Sequence, residues 1–397
     1  MGLSELVSLL LIAIGLALAV PVAVLCFEIC CAYLLPARSW PSGRRPRVAV
    51  LVPAHNEEAV IKPTLAGIKA QLRDGDRLVV VADNCSDRTG EIAEAAGAEV
   101  VHRSDLARRG KSFALDFGLR HLEMDPPEIV IIVDADCELS EGALDQLAAV
   151  SAELDRPVQA NYEMHLPVGS VQRSMRVAAF AWRIRNFVRP LGLQKLGLSC
   201  QLMGTGMAFP WALISKADLQ SAEIVEDLAL GLVLARDGKA PVFLPDTTVS
   251  SVFPASAEGQ SSQRARWETG HLNAIVRYAL PIVKDAMLFR THRQAIVLAA
   301  DNLVPPLSFF VLLLVAYFAV SGLLALVGGS ALAVLVASIN LALVAVSVVA
   351  LGWWRSGRDV LPFDELMMAF GYTVGKIPLY LRVLGGRQLA WIRTKRD

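Results

Sequence analysis

The sequence predicts an α/β fold built on a mostly parallel β-sheet, joined to helices that cross or lie on a membrane. Continuous apolar runs rich in β-branched residues alternate with helical stretches, which is the pattern of parallel strands buried on both faces. Two other blocks are apolar over a length that spans a bilayer, and hydrophobic residues make up 54% of the 397 residues. A middle α/β domain flanked by membrane helices accounts for these observations.

The first apolar block lies near the N-terminus. The chain has no charged residue between Glu5 and Glu28, and a run of this length can cross a bilayer as one helix. A cleaved signal peptide would have a positive start and a small-residue cleavage site. Because the start carries Glu5 instead and no clean A-x-A site follows, residues 1–35 are predicted to form a retained transmembrane helix.

The second apolar block has no charge between Asp301 and Arg355. It has room for two spans, and the small residues Gly328-Gly329-Ser330 divide it. We therefore predict two transmembrane helices within residues 303–354, preceded by interfacial or linker helices over residues 271–302.

The C-terminal region is interrupted by polar residues. Lys376 and Pro378 break its apolar run, so residues 361–397 are predicted to form an interfacial helix and a basic cytoplasmic tail rather than a fourth span. Basic residues follow the predicted spans and end the chain: Arg38, Arg44, Arg45, Arg47, Arg355, Arg358, Arg393, Lys395 and Arg396. The positive-inside rule places these flanks in the cytoplasm. We expect a multi-pass protein of a bacterial inner membrane, with a cytoplasmic domain over residues 44–270.

The charge balance argues against a polyanionic partner. The chain has 38 basic and 38 acidic residues, so no global field attracts nucleic acid, and no nucleic-acid partner is expected. Six cysteines are present, but none is paired at metal-site spacing and nothing indicates a disulfide framework. This cysteine usage fits a domain that faces the reducing cytosol.

Polar clusters follow three predicted strands at the point where each strand ends. Strands are predicted over residues 48–53, 78–82, 99–102 and 129–133, with helices near 58–71, 88–97 and 111–123. The clusters are AHNEE (54–58), DNCSD (83–87) and DADCE (134–138). Ligands of parallel sheets bind beyond the carboxyl ends of the strands. The three clusters therefore predict one binding site at that edge.

Asp134 and Asp136 are the most informative pair. Alternate residues of an extended chain point the same way, so both carboxylates can face one cleft. Such a pair suits Mg²⁺ or Mn²⁺, which then bridges to the phosphate oxygens of a substrate. Two solvated acids closing a strand are the alternative. The position directly after a buried strand, with Asp83 at a neighbouring strand end, favours the metal site.

Lys111 stands in RGKS (109–112), which looks like the end of a phosphate-binding loop. That loop requires glycine at position 105, where this chain has Asp105, so the segment is not such a loop. Lys111 either approaches a diphosphate from the start of its helix or is a solvated first-turn lysine. The sequence leaves both interpretations open.

Seven motifs together resemble a known family. They are VPAHNEE (52–58), ADNCSD (82–87), RGKSFAL (109–115), DADCE (134–138), GTGMAF (204–209), VEDLALG (225–231) and QRARW (263–267). In order and spacing, residues 46–270 resemble the cellulose synthase, hyaluronan synthase and poly-N-acetylglucosamine synthase type of glycosyltransferase family 2. The resemblance implies a GT-A fold and a metal-dependent hexosyltransferase that inverts the anomeric carbon. It also implies a UDP-sugar donor and Mg²⁺ or Mn²⁺ as the cofactor.

The resemblance also implies roles for individual residues. Asp83 and the strand at Pro53 would hold the uridine, Asp134 would contact the donor, and Asp136 would bind the metal together with Asp134. Asp227 would be the general base that deprotonates the acceptor hydroxyl. The other substrate-binding residues that the matching motifs imply are Glu57, Lys111, Gly206, Glu226, Gln263, Arg266 and Trp267.

These roles also follow from the chemistry of the residue types. A divalent cation and Arg266 can stabilise the charge on a leaving diphosphate. The Asp227 carboxylate can accept the proton of an alcohol, and Trp267 offers a flat face to a sugar ring. Alternatives remain open, because Asp227 is also a favourable first-turn acid of its helix. Arg266 and Trp267 would also suit a basic interfacial helix.

Residues 171–189 combine five arginines with aromatic side chains. This pattern indicates an amphipathic helix that lies on anionic headgroups, or alternatively the solvated basic face of a core helix. The first interpretation makes membrane lipids an expected partner and places the site close to the membrane.

Three functions are consistent with the sequence. The first is extension of a polysaccharide or membrane-associated glycan, which QRARW (263–267) favours through the resemblance. The second is a single glycosylation of a lipid acceptor, as in ceramide and hopanoid glycosyltransferases. A non-catalytic scaffold is the third, and the presence of Asp134, Asp136 and Asp227 argues against it. Three predicted spans can hardly enclose a glycan channel, so secretion would need an export partner or a homo-oligomer.

Overall fold

The structure is a computed structural model that describes residues 3–169, 173–219, 226–288, 290–328, 332–366 and 368–384. Its centre is an eight-stranded sheet with the strand order β3-β2-β1-β4-β7-β6-β8-β5. The strands are β1 (Val48–Ala54), β2 (Arg77–Asp83), β3 (Glu99–Arg103), β4 (Ile129–Ile132), β5 (Glu138–Leu139), β6 (Val158–His165), β7 (Met207–Pro210) and β8 (Val242–Val252).

The first half of the sheet is parallel. β1 pairs in parallel with both β2 and β4, and β3 extends the sheet in parallel beyond β2. These are the four strands that the apolar runs predict, and their ends agree within one residue or two. The predicted α/β fold with a mostly parallel sheet is therefore confirmed.

The second half of the sheet is mixed. β7 lies antiparallel to β4 and to β6, β8 is parallel to β6, and β5 is antiparallel to β8. No apolar run predicts these strands, because polar residues such as Gln159 and Asn161 lie inside β6 and are buried there. The side-chain amide of Gln159 has partners distant in the chain: it donates to the Thr205 carbonyl at 2.9 Å and accepts from the Met203 N–H at 2.8 Å.

Helices cover both faces of the sheet. They are α2 (Ile61–Lys69), α3 (Thr89–Ala95), α4 (Lys111–Leu122) and α5 (Ala143–Leu154). Alternate residues of a strand point to opposite faces, so Val50 packs with the layer that includes Leu65 of α2. Leu51 packs on the other face with Leu119 of α4. Burial on both faces explains why these strands are apolar throughout.

Among the described residues, three helices are long and apolar enough to cross a membrane, namely the stretches Glu5–Leu34, Leu307–Leu326 and Val334–Ser356. They belong to α1 (Leu3–Leu34), α13 (Leu307–Gly328) and α14 (Leu332–Ser356). Leu25 and Ile29 of α1 pack with Phe310 and Val348 in one buried apolar cluster. The three spans predicted from sequence are thus present as helices of suitable length.

The other helices follow β6 along the chain, and α13 and α14 are among them. In chain order they are α6 (Arg173–Arg183), α7 (Arg189–Lys195), α8 (Trp211–Ile214), α9 (Glu226–Arg236), α10 (Ala257–Ala274), α11 (Leu280–Met287), α12 (Arg293–Asn302), α13 (Leu307–Gly328), α14 (Leu332–Ser356), α15 (Met368–Val374) and α16 (Ile377–Leu384). A π-helical turn over Ile184–Val188 joins α6 to α7, and a second over Ile275–Ala279 joins α10 to α11.

In the arginine-rich segment, which the structure describes from residue 173 on, two arginines form ion pairs with other parts of the chain. Arg189 is buried, and its guanidinium donates to the carboxylates of Glu28 in α1 at 2.6 Å and Asp301 in α12 at 2.5 Å. Arg183 pairs with Asp359 at 2.6 Å. Neither sequence interpretation predicts these two contacts, whereas Arg173 at the start of α6 is 66% exposed.

The C-terminal region forms two short helices instead of one. α15 ends before Gly375, and α16 begins after Lys376. Lys376 forms an ion pair with Glu268 of α10, and the Tyr380 hydroxyl donates to the same carboxylate at 2.5 Å. The described part of this region is therefore held against α10, and the predicted basic tail beyond residue 384 lies outside the described residues.

Candidate active site

A cavity of about 390 Å³, here the strand-end cavity, opens beyond the carboxyl ends of β1, β2 and β4. Parallel strands bring their ends to one edge of a sheet, which is where ligands of such sheets bind. Seven residues that the sequence singles out line it together: Pro53, Glu57, Asp83, Lys111, Asp134, Asp136 and Arg266. The first six come from the parallel half of the sheet, and Arg266 reaches in from α10.

Asp83 ends β2 and is held from the neighbouring strand. Arg103 of β3 donates to its carboxylate at 2.6 Å, and both side chains are 8% exposed. Arg103 is opposite Asp83 in the strand register, so pairing of the strands creates this contact. The sequence reasoning missed Arg103. His55 has its Nδ1 2.7 Å from the Asp83 carbonyl oxygen.

The DAD motif is held by groups from the second half of the chain, through the backbone of Asp134 and the carboxylate of Asp136. The Asp134 amide donates to Thr205 Oγ1 at 3.0 Å, and Ser251 Oγ of β8 donates to Asp136 Oδ2 at 2.5 Å. Both side chains line the strand-end cavity. Thr205 and Ser251 carry no motif that predicts these contacts, because each is placed by strand pairing.

Lys111 is not a solvated lysine. It begins α4 directly after Gly110, whose φ of 133° is a conformation that favours glycine. Its ammonium forms an ion pair with Asp134 and donates to the Gly204 carbonyl oxygen at 2.7 Å. Lys111 therefore links the cavity wall to the turn at Gly204, and the structure supports the interpretation in which it faces the site.

Asp227 lies in the first turn of α9, on the far side of that same turn. A Cβ added at Gly204 would be 3.4 Å from Asp227 Oδ2 and 3.7 Å from Lys111 Nζ. Burial raises the pKa of Asp227, while the charges of Lys111 and Arg185 act in the opposite direction. A carboxylate with a raised pKa is a better proton acceptor, which suits a general base. The side chain of the neighbouring Glu226 lies outside the described residues.

Two predicted substrate-binding residues lie away from the cavity. Gly206 has φ +64°, and a Cβ there would lie 2.8 Å from Val249 and 3.0 Å from Ala160. Glycine is thus required by the packing of β7 against β6 and β8, whereas Gly204 is the residue beside Lys111 and Asp227. Gln263 is buried in α10 at 4% exposure. Neither Gly206 nor Gln263 lines the strand-end cavity in the described structure.

Trp267 lines a second, narrower space of about 90 Å³, here the chamber, on the opposite side of α10 from Arg266. Its ring packs against Trp182 of α6, with centroids 4.6 Å apart. Other charged residues in the chamber wall are Arg185, Arg189, Arg264, Glu268 and Lys376. α10 therefore separates two spaces, and its QRARW motif contributes Arg266 to the cavity and Arg264 and Trp267 to the chamber. This position inside the protein is not that of a simple interfacial helix.

Sequence reasoning missed the charged residues of the chamber. Arg185 lies in the π-helical turn, and burial lowers its pKa to about 10. Glu268 follows directly after the QRARW motif, which was the one available signal. Its partners Lys376 and Tyr380 lie more than 100 residues later in the chain. No local pattern predicts such an encounter.

A family model described as glycosyltransferase like family 2 matches residues 46–270, which is more than half of the chain. The chain belongs to this family. The match covers the sheet, the strand-end cavity and most of α10, so the family assignment includes every residue that lines the cavity. The predicted family and the predicted enzyme class, glycosyltransferase, are confirmed.

The relatives agree at the level of the family. The probable glycosyltransferase YdaM of Bacillus subtilis is 26% identical over 288 residues, which cover 67% of this chain and 64% of the relative. The probable glucomannan 4-beta-mannosyltransferase 14 of Arabidopsis thaliana is 24% identical over 267 residues, which cover 62% of this chain and 48% of the relative. The chain thus spans less than two thirds of the length of either relative.

One solved structure resembles nearly the whole chain. The mannosyltransferase PcManGT from Pyrobaculum calidifontis, in complex with GDP-Man and Mn²⁺, has a TM-score of 0.58 at 19% identity. The match covers 95% of this chain and 100% of that chain. At this identity the likeness concerns the fold, and it confirms the predicted GT-A fold of the middle domain.

Proposed function

We propose that this glycosyltransferase moves a hexose from a nucleoside-diphosphate sugar to a hydroxyl of a membrane-associated glycan or lipid acceptor, with inversion. The observation that carries the proposal is the strand-end cavity, where Asp83, Lys111, Asp134 and Arg266 meet. Cations beside paired carboxylates suit a sugar diphosphate with its metal ion. Asp227 lies just beyond Lys111, at the turn of Gly204.

The donor is assigned to this cavity in two parts. Asp83, held by Arg103, binds the nucleoside beside the end of β1 at Pro53, with Glu57 in the same wall. Lys111 and Arg266 bind the diphosphate, whose charge grows as the sugar leaves. UDP is the nucleotide that the sequence motifs favour. A GDP-sugar is the second candidate, because PcManGT was solved with GDP-Man.

Mg²⁺ or Mn²⁺ fits the residues present. Asp134 and Asp136 both line the cavity, and Mg²⁺ is commonly held by one or two carboxylates together with substrate phosphates. The described residues contain no cluster of three or more His, Cys, Asp or Glu, so phosphate and water would complete the coordination. When bound, the ion would neutralise charge on the departing diphosphate. The fold relative PcManGT was solved with Mn²⁺.

Asp227 is assigned as the general base. The acceptor oxygen bonds to the anomeric carbon as the bond to the diphosphate breaks, and the hydroxyl proton passes to the Asp227 carboxylate. One base without a covalent nucleophile gives inversion. Both a glycan and a lipid can present a hydroxyl there, and three candidate spans are few for a glycan channel. Export of a polymer would therefore need a partner protein or a homo-oligomer.

We also propose the orientation that the basic flanks favour. Residues 44–270 would form the catalytic domain on the cytoplasmic face of the inner membrane, with residues 271–302 linking it to the spans within 303–354. The first span would lie within residues 1–35, and residues 361–397 would return to the cytoplasmic face. The three apolar helices support membrane association, and the positive-inside rule supports the direction.

The proposal is tested with a donor panel on the detergent-purified full chain. UDP-glucose, UDP-N-acetylglucosamine and GDP-mannose are supplied with Mg²⁺ or Mn²⁺, and release of the nucleoside diphosphate is measured. At least one donor should be turned over, and EDTA should stop the reaction. Asp136→Ala should abolish turnover, whereas Glu141→Ala, an exposed acid outside the cavity, should not. Full activity of the Asp136→Ala variant would contradict the proposed mechanism.

A further inference from the structure

A deep apolar groove, here the membrane groove, runs beside α1 between α13 and α14. It has a volume of about 420 Å³ and is lined by residues such as Leu314, Val346 and Trp353. Among the described residues, Ser308 and Thr373 provide its only side-chain hydroxyls. Its walls are formed mainly by α13 and α14, which are long and apolar enough to cross a membrane, together with residues of α1, α6 and α15. A groove with such walls fits a hydrocarbon chain and no part of a sugar.

The membrane groove continues into the chamber. Leu25, Ala181, Leu307 and Ser308 line both spaces, so a ligand can occupy the two together. The chamber in turn lies against α10, whose other side faces the strand-end cavity through Arg266. The membrane groove, the chamber and the strand-end cavity therefore follow one another in space. A ligand could place a hydrocarbon chain in the first and a small group in the second.

Two arginines of the chamber, Arg185 and Arg264, lack a direct ion pair within the described residues, and the carboxylates of Asp227, Asp301 and Glu268 act on Arg185 only from a longer distance. The buried Nε of Arg185 has no hydrogen-bond partner, and its Nη2 reaches only Gln201 at 3.4 Å. Arg264 lies over the Tyr372 ring at 5.6 Å. Neither guanidinium forms a salt bridge in the described part of the chain. Arg185 is enclosed without an ion-pair partner among the residues described, which is unfavourable, and the partly buried Arg264 lies in the same chamber wall. The two arginines therefore favour an anionic ligand.

The neighbouring cations make a useful contrast. Arg189 is neutralised by Glu28 and Asp301, and Lys376 is neutralised by Glu268. The chamber therefore contains neutralised charges beside Arg185 and Arg264. A guanidinium matches phosphate oxygens in a bidentate manner. At about 90 Å³ the chamber admits a compact group such as a phosphate, since one water needs roughly 10–15 Å³ on this measure.

We propose that the acceptor is a phosphate-containing lipid, with its hydrocarbon chain in the membrane groove and its phosphate on Arg185 and Arg264. The inference rests on the proposed function and names the substrate class of the same site. The hydroxyl beyond the phosphate reaches Asp227. Arg185 is close enough to Asp227 for each charge to affect the other. Transfer forms the bond from this hydroxyl oxygen to the anomeric carbon, and the nucleoside diphosphate leaves with the electrons of the broken bond.

The experiment measures the contributions of the hydrocarbon chain and of the phosphate to ligand binding separately. Binding of dodecyl phosphate, dodecanol and inorganic phosphate to the detergent-solubilised full chain is measured by native mass spectrometry, without any donor. Dodecyl phosphate should bind at least tenfold more tightly than either of the others. Arg185→Ala and the milder Arg264→Ala should each reduce that preference tenfold. Arg173→Ala, an arginine of α6 that is 66% exposed, should leave it unchanged.

A second pair of variants tests the groove. Ala342→Trp fills the membrane groove and should weaken dodecyl phosphate binding, whereas Leu343→Trp places the same ring on the exposed side of α14 and should not. Equal binding of dodecyl phosphate and dodecanol, or an unchanged preference in both arginine variants, would overturn the inference. If the donor is turned over but dodecyl phosphate does not bind, only this inference is wrong. If no donor is turned over, or if turnover does not depend on Asp136, the proposed function itself is wrong.

Discussion

The strand-end cavity and the chamber lie on opposite sides of α10 and are built in different ways. Six of the seven predicted residues in the cavity come from residues 53–136, at the ends of successive strands. The chamber combines side chains from α1, α6, α10, α13 and the C-terminal helices. One site is produced by repetition of a local βα pattern, and the other by contacts between segments distant in the chain.

The difference extends to how charge is stabilised. In the cavity, Asp134 and Asp136 are accessible enough to meet a ligand; Lys111 pairs with the Asp134 carboxylate, and Ser251 donates to that of Asp136. Beside the chamber, Glu28, Arg189 and Asp301 are almost fully buried and depend on one another. We therefore expect substitutions in the cavity to affect catalysis first. Substitutions beside the chamber should affect stability or acceptor binding.

The largest effect is expected for Asp227→Asn. Loss of a general base typically lowers the rate by about 10²–10⁴-fold, and the neutral amide is close in shape to the carboxylate. kcat should fall by that amount while the dissociation constant for the donor changes less than about twofold. Asp237→Asn, an exposed acid after the same helix, is the control. If kcat of Asp227→Asn stays within tenfold of the parent, Asp227 is not the base.

Arg189→Met tests the buried charges beside the chamber. Removing one partner leaves two buried carboxylates without a cation, which costs about 3–5 kcal/mol in free energy of unfolding. Arg88→Met breaks the exposed pair with Glu58, whose side chains are 73% and 42% exposed. That change should cost no more than about 1 kcal/mol. Denaturant unfolding in detergent measures both, and equal losses would contradict the contrast.

Substitution of two glycines by alanine tests how tightly helices pack beside the chamber and on the parallel half of the sheet. An alanine Cβ at Gly192 of α7 would lie 2.0 Å from the Glu28 carbonyl oxygen of α1, so the helices must separate, at a cost of about 1–3 kcal/mol. At Gly67 of α2 no atom lies within 4 Å of such a Cβ. Gly67→Ala should stabilise the chain by about 0.4–1 kcal/mol. Thermal unfolding should shift down for the first variant and up for the second.

The smallest effect is a change in pH dependence. The base works only when it is deprotonated, and burial raises the pKa of Asp227. As the pH is lowered, kcat should therefore begin to fall at a higher pH than it would with an ordinary aspartate as the base. Lys111 lowers that pKa through its charge. Lys111→Met should therefore move the acidic limb further up, whereas Lys62→Met, an exposed lysine on α2, should leave it in place. A limb that moves down would contradict this electrostatic coupling.

The sequence was a good guide where structure is local. Val48–Ala54 and Ile129–Ile132 are apolar because both faces of their strands are buried, and polar clusters mark their ends. The same periodicity places Asp83, Asp134 and Asp136 at one edge. Charge-free runs of bilayer length likewise predict the three long helices. In each case the pattern lies within one stretch of chain and reflects the environment along it.

The tertiary structure decided which residues from distant segments of the chain are in contact. Strand pairing sets Arg103 against Asp83 and Ser251 against Asp136, and the packing of α7 against α1 buries Arg189 beside Glu28. It also shows Gly206 packed against Val249 and Ala160 of the sheet, outside the strand-end cavity. Sequence by itself therefore determined the family, the edge of the sheet and the apolar helices. The chamber needed the folded chain, because a contact between residues far apart leaves no periodicity in either segment.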